Sequence, residues 1–253
     1  KFGIHTGEPV VNALKKCPNL VMAPPNHDLY HAYSRRMMDF LHSLTPDIEQ
    51  VSIDECFLDF TGISHRYPSP YAAARYIKDE IHSRFGFTVN VGISSNKLLA
   101  KMASDFTKPD RVHTLFENEI KTKMWPLPVS ELFMLGKKTV PKLYNMQIKT
   151  IGELAKCDQR LISKKFGKHG TQMWEYANGI DENSLCTTTT CFFTCQKEKP
   201  KGIGNSITLP ENAREIEKLE EILLALAEQV TYRLRKYDLL ANTVSVQLRT
   251  KNF

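Results

Sequence analysis

The sequence predicts an α+β protein: an antiparallel sheet with helices on one face, then a small helical region, then a β-α-β unit. Three observations carry that prediction. Strand alternation and helical spacing follow one another as strand, helix, hairpin, helix, strand over residues 20–94. The run Trp125-Pro126-Leu127-Pro128 is the sharpest punctuation in the chain. Beyond a polar stretch that ends in a Lys-Glu-Lys-Pro-Lys cluster, strand and helix patterns return once more.

Residues 8–16 read as a short helix closed by Pro18, and Leu20-Val21-Met22 as the first strand. Residues 27–44 set Leu29, Tyr33, Met37, Phe40 and Leu41 along one helical face, the pattern of a core helix. Ile48, Val51 and Ile53 precede an Asp-Glu pair, and Phe57, Leu58 and Phe60 follow it, so both arms read as strands of a hairpin. Residues 70–85 form an amphipathic helix through Ala73, Ile77 and Ile81; residues 88–94 alternate as a strand; a helix opens near Asn96. The helical region that starts after Trp125 runs to about Asp181, and residues 187–200 read as a linker. Residues 203–209 are a strand, Asn212 with Glu215 a capping box, residues 216–237 an amphipathic helix, and residues 243–248 the next strand.

With 253 residues the chain has room for one large core or two to three small ones. Its 42% hydrophobic and 25% charged content is that of an ordinary globular protein. No apolar run approaches the roughly 20 residues a bilayer demands, and no signal-peptide pattern opens the sequence, so a cytoplasmic protein without membrane contact is expected. The net charge of +6 is uneven: 15 Lys/Arg stand against 14 Asp/Glu in residues 1–125, and 19 against 14 in residues 126–253. The basic second half suits a polyanion or a solvated surface. Six cysteines, at 17, 56, 157, 186, 191 and 195, show no C-x-x-C spacing, which points to reduced thiols rather than a zinc site or a disulfide framework.

Ser52-Ile53-Asp54-Glu55, running on through Cys56-Phe57-Leu58-Asp59-Phe60, is the most informative stretch. A buried strand excludes charge unless something compensates it, and divalent cations are the usual reason; a solvated turn is the alternative. Apolar residues on both sides put the acids at the tip of a rigid hairpin.

That hairpin resembles the catalytic hairpin of the Y-family translesion DNA polymerases, which include bacterial DNA polymerase IV and the mutagenic SOS-response polymerases. Gly3-Ile4-His5-Thr6-Gly7-Glu8 with Cys17-Pro18 looks like the end of the family's fingers. Gly92-Ile93-Ser94-Ser95-Asn96-Lys97-Leu98-Leu99-Ala100-Lys101 and then Lys108-Pro109 look like the far side of its palm. The likeness runs over residues 1–253 and is strongest to residue 110. It implies partial fingers over 1–20, a ferredoxin-like palm over 21–116, a small helical thumb with helix-hairpin-helix features over 117–185, a linker over 186–200, and the first β-α-β half of a little finger over 201–253. About fifty family residues are expected upstream of Lys1, and the little finger is expected to continue past Phe253.

The resemblance further implies a DNA-directed DNA polymerase that works in DNA repair with two Mg²⁺ ions, taking primer-template DNA and deoxynucleoside triphosphates. A sliding clamp would be met through sequence outside this chain. Asp54 is then a metal ligand, and Glu55 a ligand or close orienter of the primer-side ion. The remaining family carboxylate lies upstream; neither Glu49, at a strand start, nor Asp59, capping the next turn, replaces it. Lys108 matches the lysine that contacts the triphosphate. Lys97 and Lys101, at i and i+4 on the helix opened by Asn96, touch primer phosphates or form a solvated face. Leu135-Gly136-Lys137-Lys138 and Phe166-Gly167-Lys168-His169-Gly170 match the two thumb hairpins that present backbone N–H groups to phosphates, although Met134 stands where the family favours glycine. Lys201 and Asn205 on a strand face would follow the duplex backbone. Residues 1–253 by themselves are expected to bind DNA without extending a primer. A repair accessory that binds DNA without catalysis and a palm-fold nucleotidyl cyclase are the competing classes; the paired acids oppose the first, the thumb-like hairpins the second.

Overall fold

The computed structural model describes residues 2–185, 202–209 and 211–249. The chain divides into two compact units, Lys1–Thr194 and Cys195–Phe253. In the first, α1 (Val10–Lys16) is steadied by an ion pair between Lys16 and Glu8 at 2.8 Å. Residues 20–26 are irregular and Val21 is 89% exposed, so the strand expected at Leu20–Met22 is absent. Apolar side chains alone do not make a strand; a hydrogen-bonded partner strand does, and among the described residues 20–22 pair with none.

Helix α2 (His27–Leu44) starts where the Asn26 side chain accepts from Leu29 N–H, and it buries Ser34, Met37, Met38, Phe40 and Leu41. Its first two turns stand clear of the core, which leaves Leu29 and Tyr33 exposed. Strands β1 (Ile48–Gln50) and β2 (Cys56–Leu58) pair antiparallel, with Glu49 opposite Phe57. Helix α3 (Pro70–Phe85) begins with Ser69 as N-cap and proline at its start, and ends on Gly86 at φ 77°. Met37, Met38, Phe40, Leu41, Ile48, Ile77 and Ile81 from these elements form the first core.

Next come β3 (Val91–Ile93), α4 (Lys97–Asp105) and β4 (Val112–Thr114). β3 and β4 pair in parallel, Val91 opposite Val112, the arrangement a helical crossover imposes. The single antiparallel sheet expected from the sequence is therefore two separate ladders, one antiparallel and one parallel. β4 is only three residues long, too short for alternation to reveal. A Cβ on Gly92 would overlap the Ala100 carbonyl oxygen, so only glycine lets β3 lie this close under α4.

Helix α4 turns its apolar face, Leu98, Leu99, Met102 and Ala103, into a second core shared with the helices that follow. Those helices are α5 (Val140–Tyr144), α6 (Ile151–Ala155), α7 (Gln159–Phe166) and α8 (Lys168–Ala177). Short π and 3₁₀ turns between Glu117 and Glu131 lead into them. The second unit holds α9 (Ile216–Lys236). Among the described residues, 203–209 and 243–248 pair with no strand, so the expected β-α-β unit is represented by its helix. Glu215 itself occupies the N-cap in extended conformation, without a side-chain cap; the Asn212–Glu215 box does not form because the helix starts one residue after it. No described helix is long and apolar enough to cross a membrane.

Replacing Gly92 by alanine is expected to lower the unfolding free energy by about 2–3 kcal/mol, since the added methyl meets helix backbone, which cannot rotate aside. Urea unfolding monitored by circular dichroism checks this; an unchanged midpoint would show that α4 is free to shift away from β3.

Candidate active site

The hairpin connection spans residues 51–55, and its shape follows from four hydrogen bonds. Val51 and Ser52 N–H both donate to the Glu55 carbonyl, at 3.0 and 3.1 Å. From α2, the Ser34 hydroxyl donates to the Ile53 carbonyl. The Gln50 side-chain amide donates to the Ser52 carbonyl at 2.9 Å. Ser34 is a buried polar residue on an otherwise apolar helix face because it holds this loop.

Asp54 and Glu55 stand at the tip, exposed. Val51 and Ile53 are loop residues at 55% and 38% exposure, so the first strand ends at Gln50, four residues before Asp54, rather than running through the acids. Ser52 Oγ donates to Asp54 Oδ1 at 2.7 Å and fixes that carboxylate close to its own backbone. Asp59 lies past the second strand, where its carboxylate accepts from Thr61 N–H at 2.8 Å, a turn-capping role.

Facing the hairpin is the polar side of α4. Lys97 Nζ lies 3.1 Å from Glu49, and Lys101 Nζ lies 2.5 Å from Glu55 Oε1 and 3.2 Å from Asp105 Oδ2. Lys108, just beyond the helix, pairs with Asp105 at 2.8 Å. A strip of alternating charge results: Glu55, Lys101, Asp105, Lys108. Burial disfavours the Lys101 ammonium, but its bonds to Glu55 and Asp105 outweigh that and raise its pKa. Burial likewise works against the Asp105 carboxylate, and the hydrogen bonds from Lys108 and Lys101 override it, holding its pKa below the usual value. Asp105 is the residue that sequence reasoning missed; an acid between two lysines at i−4 and i+3 was its only local signal.

The segment carrying Lys108 is held from outside the helix. Asn90 donates to the Ser104 and Thr107 carbonyls at 3.0 and 2.8 Å and accepts from Arg111 N–H at 3.0 Å. Lys78 of α3 pins Asp110 at 3.0 Å. The structure thus brings Asp54, Glu55, Lys101 and Lys108 to one surface. Lys97, on the same helix face, is directed at Glu49.

The hairpin glycines lie among the helices that build the second core, Gly136 and Gly167 exposed and Gly170 buried. Gly136 and Lys137 belong to the turn before α5, and Met134 just ahead has φ 65°, so its backbone takes the left-handed form that glycine would favour. Gly167, at φ 63° and ψ −146°, joins α7 directly to α8, with Lys168 first in α8. Gly170 is buried, and a Cβ there would press on the Ile162 carbonyl. Lys201 lies outside the described residues. Asn205 gives its amide to Gln229 of α9 at 2.5 Å instead of presenting it freely.

Two adjacent carboxylates at an exposed tip fit an ion such as Mg²⁺, which takes one or two carboxylates and completes its shell with phosphate oxygens and water. Among the described residues no third His, Cys, Asp or Glu joins them in a cluster.

The impB/mucB/samB family matches residues 1–105, and the family's C-terminal domain matches residues 200–253, together more than half of the chain. A protein named DNA polymerase IV from Clostridium acetobutylicum is 47% identical over the whole chain, and its namesake from Clostridium kluyveri is 40% identical. In solved structures, a Y-family DNA polymerase chimera superposes with a TM-score of 0.78 at 24% identity over 91% of this chain and 65% of its own. The chain belongs to the Y family. Its fold is the Y-family polymerase fold, with mixed helix and strand. The chain spans 62% of the length of the two curated Y-family relatives.

Cys56, directly after Glu55, reports on how firmly the hairpin is packed. Burial pushes its thiol pKa up to about 11 from an ordinary 9.0. Its alkylation by iodoacetamide near pH 8 is expected to run about 100-fold slower than in the unfolded chain, because the thiolate is the reactive form. The same shift makes Cys56 stabilise the fold fully below pH 9, with that contribution lost as pH rises towards 11. Mass spectrometry of partially alkylated protein checks it, and labelling as fast as in urea would mean the hairpin opens readily.

Proposed function

We propose that this chain is part of a translesion DNA-directed DNA polymerase that joins deoxynucleoside triphosphates to a primer on a DNA template during repair. The observation that carries the reading is the strip from Glu55 through Lys101 and Asp105 to Lys108, which sets a metal-directed acid and a phosphate-directed lysine on one surface. Residues 1–20 are assigned to the fingers, 21–116 to a ferredoxin-like palm, 117–185 to the thumb and 201–253 to the little finger. The core supports a qualification: α4 is a palm element by its strand partners and a thumb element by its packing.

Two Mg²⁺ ions, when bound, lower the cost of the attacking primer oxygen and neutralise charge on the triphosphate. In this chain, Asp54 and Glu55 supply carboxylate oxygens from a loop whose backbone is already fixed, so little reorganisation accompanies binding. Lys108 exchanges its Asp105 partner for phosphate oxygens and so orients the triphosphate relative to the hairpin. The Gly136–Lys137 and Gly167–Gly170 turns, with Lys168, hold duplex backbone through N–H groups and point charges, giving affinity that falls with salt and reads little sequence. A solved neighbour of the same fold, at TM-score 0.68, is an insertion ternary complex of a DNA polymerase, and primer-template DNA with nucleotide is the substrate set proposed for this chain.

In the full-length protein, Asp54→Ala and Glu55→Ala are expected to abolish metal-dependent primer extension, a loss of about 1,000-fold or more, with an unchanged circular dichroism spectrum. Extension at the parental rate by the Asp54 variant would remove it from the metal site. Lys108→Ala is expected to raise the nucleotide KM by about tenfold with a smaller fall in kcat, since it removes a ground-state phosphate contact. Steady-state nucleotide titration on a defined primer-template separates the two constants, and an unmoved KM would return Lys108 to a surface role.

A further inference from the structure

We propose that Lys101 is a built-in counter-ion that competes with a divalent cation for Glu55, and that Asp105 sets how strongly it competes. The inference rests on the reading of Glu55 as a metal ligand. Lys101 Nζ sits 2.5 Å from Glu55 Oε1, so one of the two carboxylate oxygens already carries a charge-assisted hydrogen bond. A cation arriving at Glu55 meets a carboxylate partly neutralised and a like charge beside it; it must displace the ammonium or bind against its repulsion.

The ammonium is not free to leave with its helix. Leu98, Leu99, Met102 and Ala103 on either side of Lys101 are 0–4% exposed, so the α4 backbone is locked in the second core. The Lys101 side chain is itself only 18% exposed, against 46% for Glu55. Among the described residues its other anionic partner is Asp105, at 3.2 Å on the next turn of the helix. Asp105 is shared with Lys108 at 2.8 Å. The ammonium is therefore divided between two carboxylates, and whatever strengthens its bond to Asp105 weakens its hold on Glu55. A triphosphate that draws Lys108 away from Asp105 leaves that carboxylate wholly to Lys101 and so releases Glu55. Nucleotide arrival and cation binding at the hairpin are coupled through these side chains.

The experiment uses the full-length protein with Mn²⁺ as probe, free Mn²⁺ being read by electron paramagnetic resonance without DNA or nucleotide. Glu55→Gln is the reference and should weaken binding. Lys101→Met should tighten it by about five- to tenfold, and Lys101→Gln should do so in the same direction while keeping a polar side chain. Asp105→Asn should weaken binding by about two- to fivefold, because Lys101 is then left to Glu55 alone. The deciding measurement is the double variant. If Asp105 acts through Lys101, Asp105→Asn changes nothing in the Lys101→Met background; if it acts only as a nearby negative charge, it weakens binding there as much as in the parent. Additive effects overturn the role of Asp105, and a Lys101→Met protein that binds Mn²⁺ no more tightly overturns the competition while leaving Glu55 a ligand. A Glu55→Gln protein with parental Mn²⁺ affinity removes the metal reading of Glu55, and the inference with it.

Discussion

Helix α4 answers to two partners at once, and the geometry of the first unit depends on both being met. Its apolar face supplies Leu98, Leu99, Met102 and Ala103 to the core of the helical region. Its polar face carries Lys97 and Lys101 to Glu49 and Glu55 on the hairpin. Nine residues at 1.5 Å rise give a rod of about 14 Å, short enough that fixing one face fixes the other. Gly92 adds a third constraint, because the strand beneath the helix approaches it too closely for any side chain. The position of an acidic loop is thereby determined by apolar packing on the opposite side of a helix.

The energetics of these contacts differ in kind. Burying Leu98 and Leu99 is worth roughly 2 kcal/mol each by the area removed from water. The ion pairs of Lys97 and Lys101 are only partly shielded, and pairs of that sort contribute about 1 kcal/mol or less. Apolar packing therefore holds α4 in place, and the salt bridges choose which carboxylates face it. That division suits a site whose charges must change partners, since a lysine can exchange one carboxylate for another without loosening the helix that carries it.

Helices were legible in the sequence to the residue where their punctuation is local. Asn26 opens α2, Ser69-Pro70 opens α3 and Gly86 ends it, and these signals act within one turn of the element they bound. The hairpin acids were legible for a related reason, since the apolar arms and the acid pair lie in one continuous stretch. The Asn212–Glu215 box is a local signal that failed, because the helix starts after it; the other failures depended on distant partners. Leu20–Met22 is a run of apolar residues that acquires no strand partner among the described residues, whereas Val112–Thr114 has almost no pattern and becomes a strand because β3 lies beside it. Glu55 and Lys101 are 46 residues apart, so no window along the chain could pair them. Asp105 looked like an ordinary helix-end acid until both of its lysines were seen to turn toward it.

The same helix is held at its N-terminus by chain from the far end of the helical region. Asn96 accepts from Leu99 N–H as N-cap while its amide donates to the Gly179 carbonyl at 2.9 Å. Asp181 accepts from Leu98 N–H at 3.2 Å, 83 residues away in sequence, and satisfies a second of the free donors every helix start leaves. Gly179, at φ 76°, a backbone form that favours glycine, makes the bend that brings Asp181 back, and it packs against the side-chain ends of Ile120 and Leu99. The chain thus leaves β4 for the helical region beside the N-terminus of α4, where Leu115 N–H donates to the Ile93 carbonyl, and returns from that region to the same end. A displacement of those helices would pull on the helix that positions Lys101, and through Lys101 on the acid at the hairpin tip, so the helical region and the acidic loop are parts of one mechanical unit even though their sequences are read separately.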